Sequence, residues 1–406
     1  MNLKDKNLYY IGGVVRDEIL GAPGFDVDLT YNGNAVEFAK NLPDAEIVQI
    51  NEPFGTVRIK LKSPHPASLD SLAINGYGST FHPPLASRSP SRKEQYIDIA
   101  STRSETYPHK GHLPVVDKIG CSLKEDVLRR DFTINAMAKS TLTGEIIDYT
   151  NGLEDIKNKI LRVLHDNSFI DDPTRILRML KFAVRFGFEP DSHTKKLQDD
   201  YLANINYDMS YKRLKKELIE TFNLNKWSAF ERFVEQGIYK LVSPHNFELP
   251  KYNFSPLINK FAPDNCWIIY IGLLPDISNL PLTKTEKQIV DEFRKLEKLC
   301  PPLEGGPKSL ISRWGNDFEI YKTFKNIPPE SVIMYSTINR EIVEKYLNKL
   351  KDVEISIDGN DLKTLGIEPS PKYQECFDYI LKHKIENPNL TKDYEIKLAK
   401  DFFKAY

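Results

Sequence analysis

The chain has 406 residues, 40% hydrophobic and 28% charged, with a formal net charge of −1 at pH 7. That length carries two or more domains of ordinary globular composition, and the near-zero charge excludes a chain that is basic throughout, so nucleic acid would have to be met by a local patch. Cys121, Cys266, Cys300 and Cys376 show no C-x-x-C spacing, which argues against a thiolate zinc site or a disulfide framework and fits a reducing, cytoplasmic setting. The stretch from Met1 to Tyr10 is polar and charged, and the longest apolar run, Trp267 to Leu274, is too short to cross a bilayer. No membrane role is expected.

In chain order, Leu8 to Ile11 is a short apolar run that reads as a buried strand. Gly12-Gly13 allows a tight turn and close approach to a ligand. Val14 to Leu20 reads as a helix with Gly21 just past its end. A strand, a glycine turn and a helix N-terminus together make an anion site. Phe25-Asp26-Val27-Asp28-Leu29 alternates apolar and acidic residues, so Asp26 and Asp28 share one strand face. Either feature alone describes an ordinary turn or a solvated strand. Together they suit divalent metals and phosphoryl transfer.

At these residues the chain resembles the class II tRNA nucleotidyltransferase and bacterial poly(A) polymerase family, whose opening pattern is G-G-x-V-R-D followed by D-x-D. The resemblance implies that Asp26 and Asp28 are catalytic and hold Mg2+, and that Gly13 and Arg16 contact a nucleoside triphosphate. It also implies an α+β fold: a polymerase-β-type nucleotidyltransferase head with a mixed sheet, then a helical neck, body and tail.

Ala35 to Asn41 suggests a second helix, ending near Pro43. Ile47 to Ile50, Gly55 to Leu61 and Tyr96 to Ala100 read as strands. Ser63 to Gln95 is rich in Ser, Pro, His and Gly without periodicity, and reads as an exposed loop longer than the family uses there. Asp98 is either a third carboxylate near the metals or a residue bonded to a neighbouring loop. Arg103 to Tyr107 and His109 to His112 resemble the family's flexible loop, which could close over a triphosphate.

Arg129-Arg130-Asp131-Phe132-Thr133-Ile134-Asn135-Ala136-Met137-Ala138 matches the family segment R-R-D-F-T-I-N-A-M-A without a mismatch. Asp131 can accept from a ribose hydroxyl and Arg130 can pair with phosphate oxygens. Ile146 to Tyr149 closes the sheet, and Asn151-Gly152 turns the chain.

From Gly152 the pattern is helical. Asp171-Asp172-Pro173 reads as a helix start, and Arg175, Arg178 and Lys181 wind along one side of that helix, with Ile176, Leu177, Leu180 and Val184 on the other. The stretch resembles the family's E-D-x-x-R-x-x-R-x-x-R-F motif, with Asp171 in place of Glu and Lys181 in place of the third Arg. Lysine keeps the charge and loses the planar fork. Cytosine and adenine present an amine donor beside a ring-nitrogen acceptor, whereas uracil and guanine present the reverse order. An accepting Asp172 beside a donating Arg175 is complementary to C and A. Against U or G like groups face each other.

Residues from about 200 to 350 read as helical, with strong stretches at Tyr211 to Phe222 and Thr285 to Leu299. Ser210 to Glu217 is locally basic and either touches an RNA backbone or is a solvated helix face. Ile357 to Pro371 resembles the family tail I-x-G-x-D-L-x-x-x-G-x-x-P-G-P, with Ser370 in place of Gly and Asp361 capping or turning. The expected division is a head at 1–148, a neck with the base-selecting helix at 149–225, a body at 226–300 and a tRNA-binding tail at 301–406.

The resemblance implies a template-independent enzyme that adds C and A from CTP and ATP to the 3′ end of tRNA, with tRNA as partner and no protein partner. A partial CC-adding or A-adding enzyme and a poly(A) polymerase share its motifs. Intact Asp26, Asp28, Arg130 and Asp131 argue against a catalytically inactive RNA-binding relative. A small-molecule nucleotidyltransferase would leave the helical half without a role.

Overall fold

A computed structural model describes residues 3–22, 28–43, 45–61, 96–261, 263–299 and 316–404. Asp26 and the Ser63 to Gln95 stretch, named above, lie outside the described residues, as does Cys300. The chain divides into two compact units, Met1–Glu217 and Leu218–Tyr406.

The first unit is built on a seven-stranded mixed sheet. Its strands are β1 (Leu8–Ile11), β2 (Asp28–Tyr31), β3 (Ala45–Asn51), β4 (Thr56–Leu61), β5 (Tyr96–Ser101) and, after a separate pair formed by β6 (Arg103–Thr106) and β7 (Val115–Ile119), β8 (Met137–Ser140) and β9 (Ile146–Asp148). Their order is β3-β4-β5-β2-β1-β8-β9. Neighbours are antiparallel except β2 and β5, which run parallel. α1 (Gly13–Ile19) follows β1, and α2 (Ala35–Lys40) follows β2. Asn34 starts α2 by accepting from the Val36 and Glu37 backbone N–H groups, which satisfies two of the helix's orphan donors.

Period-two alternation decides which face is dry. Leu29, Val57, Ile59, Ile97 and Ile99 pack with Ala35, Val36 and Ala39 in one buried cluster. Asp28, Arg58 and Asp98 are exposed on the strands between those apolar residues.

The stretch expected to be a flexible loop is a β-hairpin: β6 (Arg103–Thr106) pairs antiparallel with β7 (Val115–Ile119). α3 (Leu123–Leu128) opens with a capping box made by Ser122 and Glu125. After the sheet come α4 (Gly152–Asn158), the short α5 (Ser168–Asp171), α6 (Thr174–Phe186), α7 (Ser192–Ala203) and α8 (Tyr211–Phe222). This region is not purely helical, because Ile160–Leu161 and Glu189–Pro190 pair as two short parallel strands.

The second unit is helical. Its core gathers aromatic rings around Tyr270, 5.1 Å from Phe254, 5.2 Å from Phe222 and 5.3 Å from Phe230 between centroids. The buried phenol donates to Asn225 Oδ1 at 2.7 Å, which meets the hydrogen-bonding need of a polar tip in an apolar core. Trp267 to Leu274, the longest apolar run, overlaps the helix Cys266–Ile271, which is buried from Trp267 on. Lys284–Leu299 matches the expected long helix. Near the C-terminal end Asp358 caps the helix Gly359–Thr364 in a capping box with Asp361, which also pairs with Lys392. No helix among the described residues is long and apolar enough to cross a membrane.

Candidate active site

The exposed face of the sheet carries a charged row. Strand register puts Asp28 opposite Asp98 across the β2–β5 pair, and Asp98 opposite Arg58 across β5–β4. Arg58 donates from Nε and Nη2 to the two oxygens of Asp98, at 2.7 Å each. Both side chains are about half exposed, so the pair adds little stability. It does fix the orientation of the Asp98 carboxylate beside Asp28. Of the alternatives left open for Asp98, the structure shows a residue in the carboxylate row whose charge is matched by an arginine.

This row forms one wall of a cavity of about 480 Å3, lined among others by Asp28, Asp98, Arg58, Arg103, Arg129 and Arg130. Four guanidinium groups and two carboxylates line it, and Arg103 and Arg129 are themselves paired with Glu105 at 2.6 and 3.0 Å. α3 carries Arg129 and Arg130 of the basic wall just past its C-terminal end. Its buried Asp126 accepts from Arg129 at 2.7 Å, from Arg130 at 3.2 Å and from the Arg103 backbone N–H at 3.2 Å. Burial pushes the Asp126 carboxyl up, but the guanidiniums of Arg130 and Arg129 outweigh it and hold the group below its ordinary range. Arg130 keeps a buried Nε with no hydrogen-bond partner among the described residues. Such an atom is costly unless a ligand completes it.

The glycine turn shapes the same wall. Gly12 has φ 71°, and a Cβ there would lie 2.9 Å from Arg130 Nη1. Gly13 begins α1, and a Cβ on it would meet Arg16 Nη2 at 3.5 Å. Arg16, expected to reach a triphosphate, is buried. It donates to Asp17 Oδ1 at 2.8 and 2.6 Å and to Asn135 Oδ1, and its guanidinium lies 4.9 and 4.7 Å from the rings of Phe182 and Phe186. Burial is the largest influence on it and lowers its pKa.

A second cluster joins the R-R-D-F segment to α6. Asp131 Oδ1 accepts from the Phe132 N–H at 2.9 Å and from Asn135 Nδ2 at 3.0 Å, while Oδ2 accepts from Arg178 Nε at 2.7 Å. Burial raises the Asp131 carboxyl, but Arg178 and these hydrogen bonds prevail and hold it far below the usual carboxylate range. Arg178 also donates to Glu217 at 3.3 Å, and the buried Lys181 donates to the other Glu217 oxygen at 2.8 Å. The basic side of α6 is therefore packed against acids rather than solvated. Lysine at 181 serves a point-charge contact that needs no planar fork.

Asp172 and Arg175 are both buried. Asp172 accepts from Thr174 Oγ1 at 2.6 Å and from Arg213 Nη2. Arg175 donates to Ser168 Oγ at 2.7 Å, to the Arg129 carbonyl at 3.2 Å and to the Tyr107 hydroxyl at 3.3 Å. A base read by this pair would take over some of these bonds.

The structure thus assembles Asp28 and Arg130 in the cleft, and links Arg16, Asp131, Arg178 and Lys181 through Asn135, Asp17 and Glu217. Those last three, together with Arg213 and Tyr107, carry bonds that sequence reasoning did not assign. Asn135 sits inside the ten-residue motif, so its presence was visible. Glu217 and Arg213 lie in a stretch that reads as a plain basic helix.

A mixed nucleotidyltransferase sheet with carboxylates and arginines across one cleft defines the class of protein. Residues 8–75 and 85–162 match the Poly A polymerase head domain. The chain is 28% identical over 427 residues to an A-adding tRNA nucleotidyltransferase of Halalkalibacterium halodurans, covering 98% of this chain and 89% of the relative. It is 30% identical over 383 residues to a CCA-adding enzyme of Staphylococcus epidermidis, covering 87% of this chain and 83% of that one. Two further A-adding relatives are longer, and the chain spans 44% and 43% of their lengths. The fold resembles that of a Thermotoga maritima CCA-adding enzyme complexed with tRNA, with TM-score 0.71, 22% identity, and coverage of 98% of this chain and 91% of that one. The chain belongs to the tRNA nucleotidyltransferase and poly(A) polymerase family, and it is a nucleotidyltransferase.

Proposed function

We propose that this enzyme adds C and A from CTP and ATP to the 3′ end of tRNA without a nucleic-acid template. The observation that carries the reading is the cleft in which Asp28 and Asp98 stand side by side in strand register while Arg130 keeps a buried Nε with no partner among the described residues. An acidic edge beside a basic wall suits an attacking hydroxyl and a triphosphate.

The exposed Asp28 carboxylate offers hard oxygen donors of the kind Mg2+ prefers, and Asp26 and Asp28 would hold it. Bound there, Mg2+ supplies a lowered pKa for the RNA 3′-hydroxyl and charge neutralisation for the pyrophosphate. Arg130 and its neighbours on the cleft wall hold the triphosphate. Gly12 and Gly13 let the backbone approach it. Arg16, held by Asp17 and Asn135, anchors α1 beneath that turn. Asp131 meets the ribose when Arg178 yields one of its bonds, and Arg178 and Lys181 keep the helix in register through Glu217. Asp172 and Arg175 select C and A by their acceptor–donor order. The head, neck, body and tail division, with the tail on tRNA, belongs to the same proposal, as does a cytoplasmic location.

Addition of A alone is a second reading. It is favoured by the A-adding relative that matches 98% of this chain. Purified protein is offered tRNA transcripts ending in the discriminator base, in C and in CC, with CTP and ATP supplied separately, and product lengths are read on a gel. Extension of all three ends by their proper nucleotides supports full addition. Extension of the CC end alone, with ATP alone, establishes A addition. An Asp28→Ala variant should extend none of them.

A further inference from the structure

His109 and His112 stand on the turn between β6 and β7, and Asp208 on the segment leading into α8. Their ligand atoms all lie within 4.8 Å of one another. His109 Nε2 is 2.8 Å from Asp208 Oδ2, His112 Nε2 is 3.0 Å from Oδ1, and the two imidazole centroids are 4.0 Å apart. We propose that these three side chains form a binding site for one transition-metal ion of the zinc type, which clamps the hairpin turn onto the segment before α8. This site is separate from the oxygen-donor edge at Asp28.

The donor set points to the class of ion. Two imidazoles and one carboxylate suit Zn2+, Co2+ or Ni2+ rather than Mg2+. Absent C-x-x-C spacing excludes only thiolate sites. At Zn–N and Zn–O bonds of 2.0–2.1 Å, tetrahedral ligand atoms sit about 3.3 Å apart. The two N···O distances, 2.8 and 3.0 Å, need to open by only a few tenths of an ångström, all the ligand atoms lie within 4.8 Å, and the ion takes the place of the protons between them. All three side chains reach solvent, so water can complete the coordination.

The backbone already holds the ligands together. Gly111, between the two histidines, has φ 79°, and a Cβ on it would lie 2.9 Å from the Asp208 carbonyl and 3.0 Å from Met209 Cβ. Its N–H donates to the Asp171 carbonyl at 3.0 Å, and its carbonyl accepts from the Ser210 N–H at 3.0 Å. A ligand set placed by main-chain contacts loses little freedom on binding. The clamp also bears on the base-selecting helix. Arg213 donates to the His112 carbonyl at 3.1 Å and, through its other nitrogen, to Asp172. Lys110 pairs with Asp171 at 2.5 Å. An ion at the turn therefore fixes the two contacts that orient Asp171 and Asp172.

The test uses the untagged full chain, stripped with a chelator and titrated with Zn2+ by calorimetry and with Co2+ by visible absorption. One bound equivalent is expected, with its loss in His112→Ala and in Asp208→Asn while circular dichroism stays unchanged. His193→Ala is the control, because His193 pairs with Asp166, at 2.8 Å, and belongs to no metal-type cluster among the described residues, and should bind as the parent does. Absence of binding in the parent, or retention in both ligand variants, overturns the site. Trypsin cleavage after Lys110 tests the clamp: Zn2+ should slow it in the parent and not in His112→Ala. Equal cleavage with and without Zn2+ in the parent shows a hydrogen-bonded cluster only and overturns the clamp.

Discussion

Arg178 Nε and Nη2 both lie 2.7 Å from Asp131 Oδ2, tying α6 to the segment that follows α3. Asp131 has its other oxygen filled by Phe132 N–H and Asn135. A ribose hydroxyl can reach it only as Arg178 lets go. Sugar recognition and helix position are then one event. Asp131→Asn should lower stability by roughly 1.5–3 kcal/mol, the cost of weakened hydrogen bonds to a charged group, since the half-buried Arg178 keeps Glu217 as a partner. It should also weaken discrimination between CTP and deoxy-CTP. Denaturant midpoints measure the first and competition kinetics the second, and unchanged sugar selectivity in folded protein would place the ribose contact elsewhere.

Arg213 holds Asp172 from α8. Arg213→Ala should leave Asp172 less well oriented, so kcat/KM for CTP and ATP should fall while UTP and GTP lose less. A lost hydrogen bond to a charged group is worth roughly 1.5–3 kcal/mol, or one to two orders of magnitude. Equal loss for all four nucleotides would show that Arg213 only supports the helix.

Gly12→Ala combines a left-handed backbone with a clash against Arg130. The backbone strain alone costs of order 1–3 kcal/mol. Because the Arg130 guanidinium must shift, KM for the nucleotide should rise even where the variant remains folded at the assay temperature. Gly21→Ala has φ 62° and, among the described residues, no atom within 4 Å of the added Cβ, so it should show the strain without the KM effect.

Acid stability follows from the two depressed carboxyls. Asp126 and Asp131 both titrate below the ordinary value of 3.8 in the folded chain. Their stabilisation is complete above that pH and is lost as pH falls toward the folded values, because the unfolded chain takes up protons first. Unfolding midpoints should drop steeply below about pH 4. Asp131→Asn should flatten that limb, and an unchanged limb would assign acid lability to other groups.

Much of the head was legible because its signals are local. The strand Leu8–Ile11, its glycine turn and the helix after it follow from apolar runs and glycine positions, and the helix Thr174–Phe186 begins just after Pro173. The β6–β7 hairpin was not legible, since Arg103–Thr106 is polar and lacks a buried face to alternate against. The sequence marks Arg175 and Lys181 as nucleotide contacts by their resemblance to the family motif, and it hides their protein partners because these are distant in the chain. Arg175 reaches Tyr107 and Arg129, and Lys181 reaches Glu217. Periodicity reports which side of a helix is polar, and long-range pairing decides whether that side is wet.

The strand order sets a schedule for the nascent chain. Asp28 gains its neighbour Asp98 only when β5 docks, with Thr30 reaching across 70 residues to the Ala100 carbonyl. β1 remains an unpaired edge on its other side until β8 arrives and Tyr10 meets Lys139. Closing such intervals costs entropy before any contact repays it, so pairings of this separation form slowly. A ribosome-bound chain that has not yet exposed β8 already has the strands that carry Asp28 and Asp98, but the β1 side of its sheet is still open. The enzyme therefore completes its sheet late in synthesis, after the acidic edge has formed, and fragments ending before residue 140 should remain substrates for chaperones rather than partial catalysts.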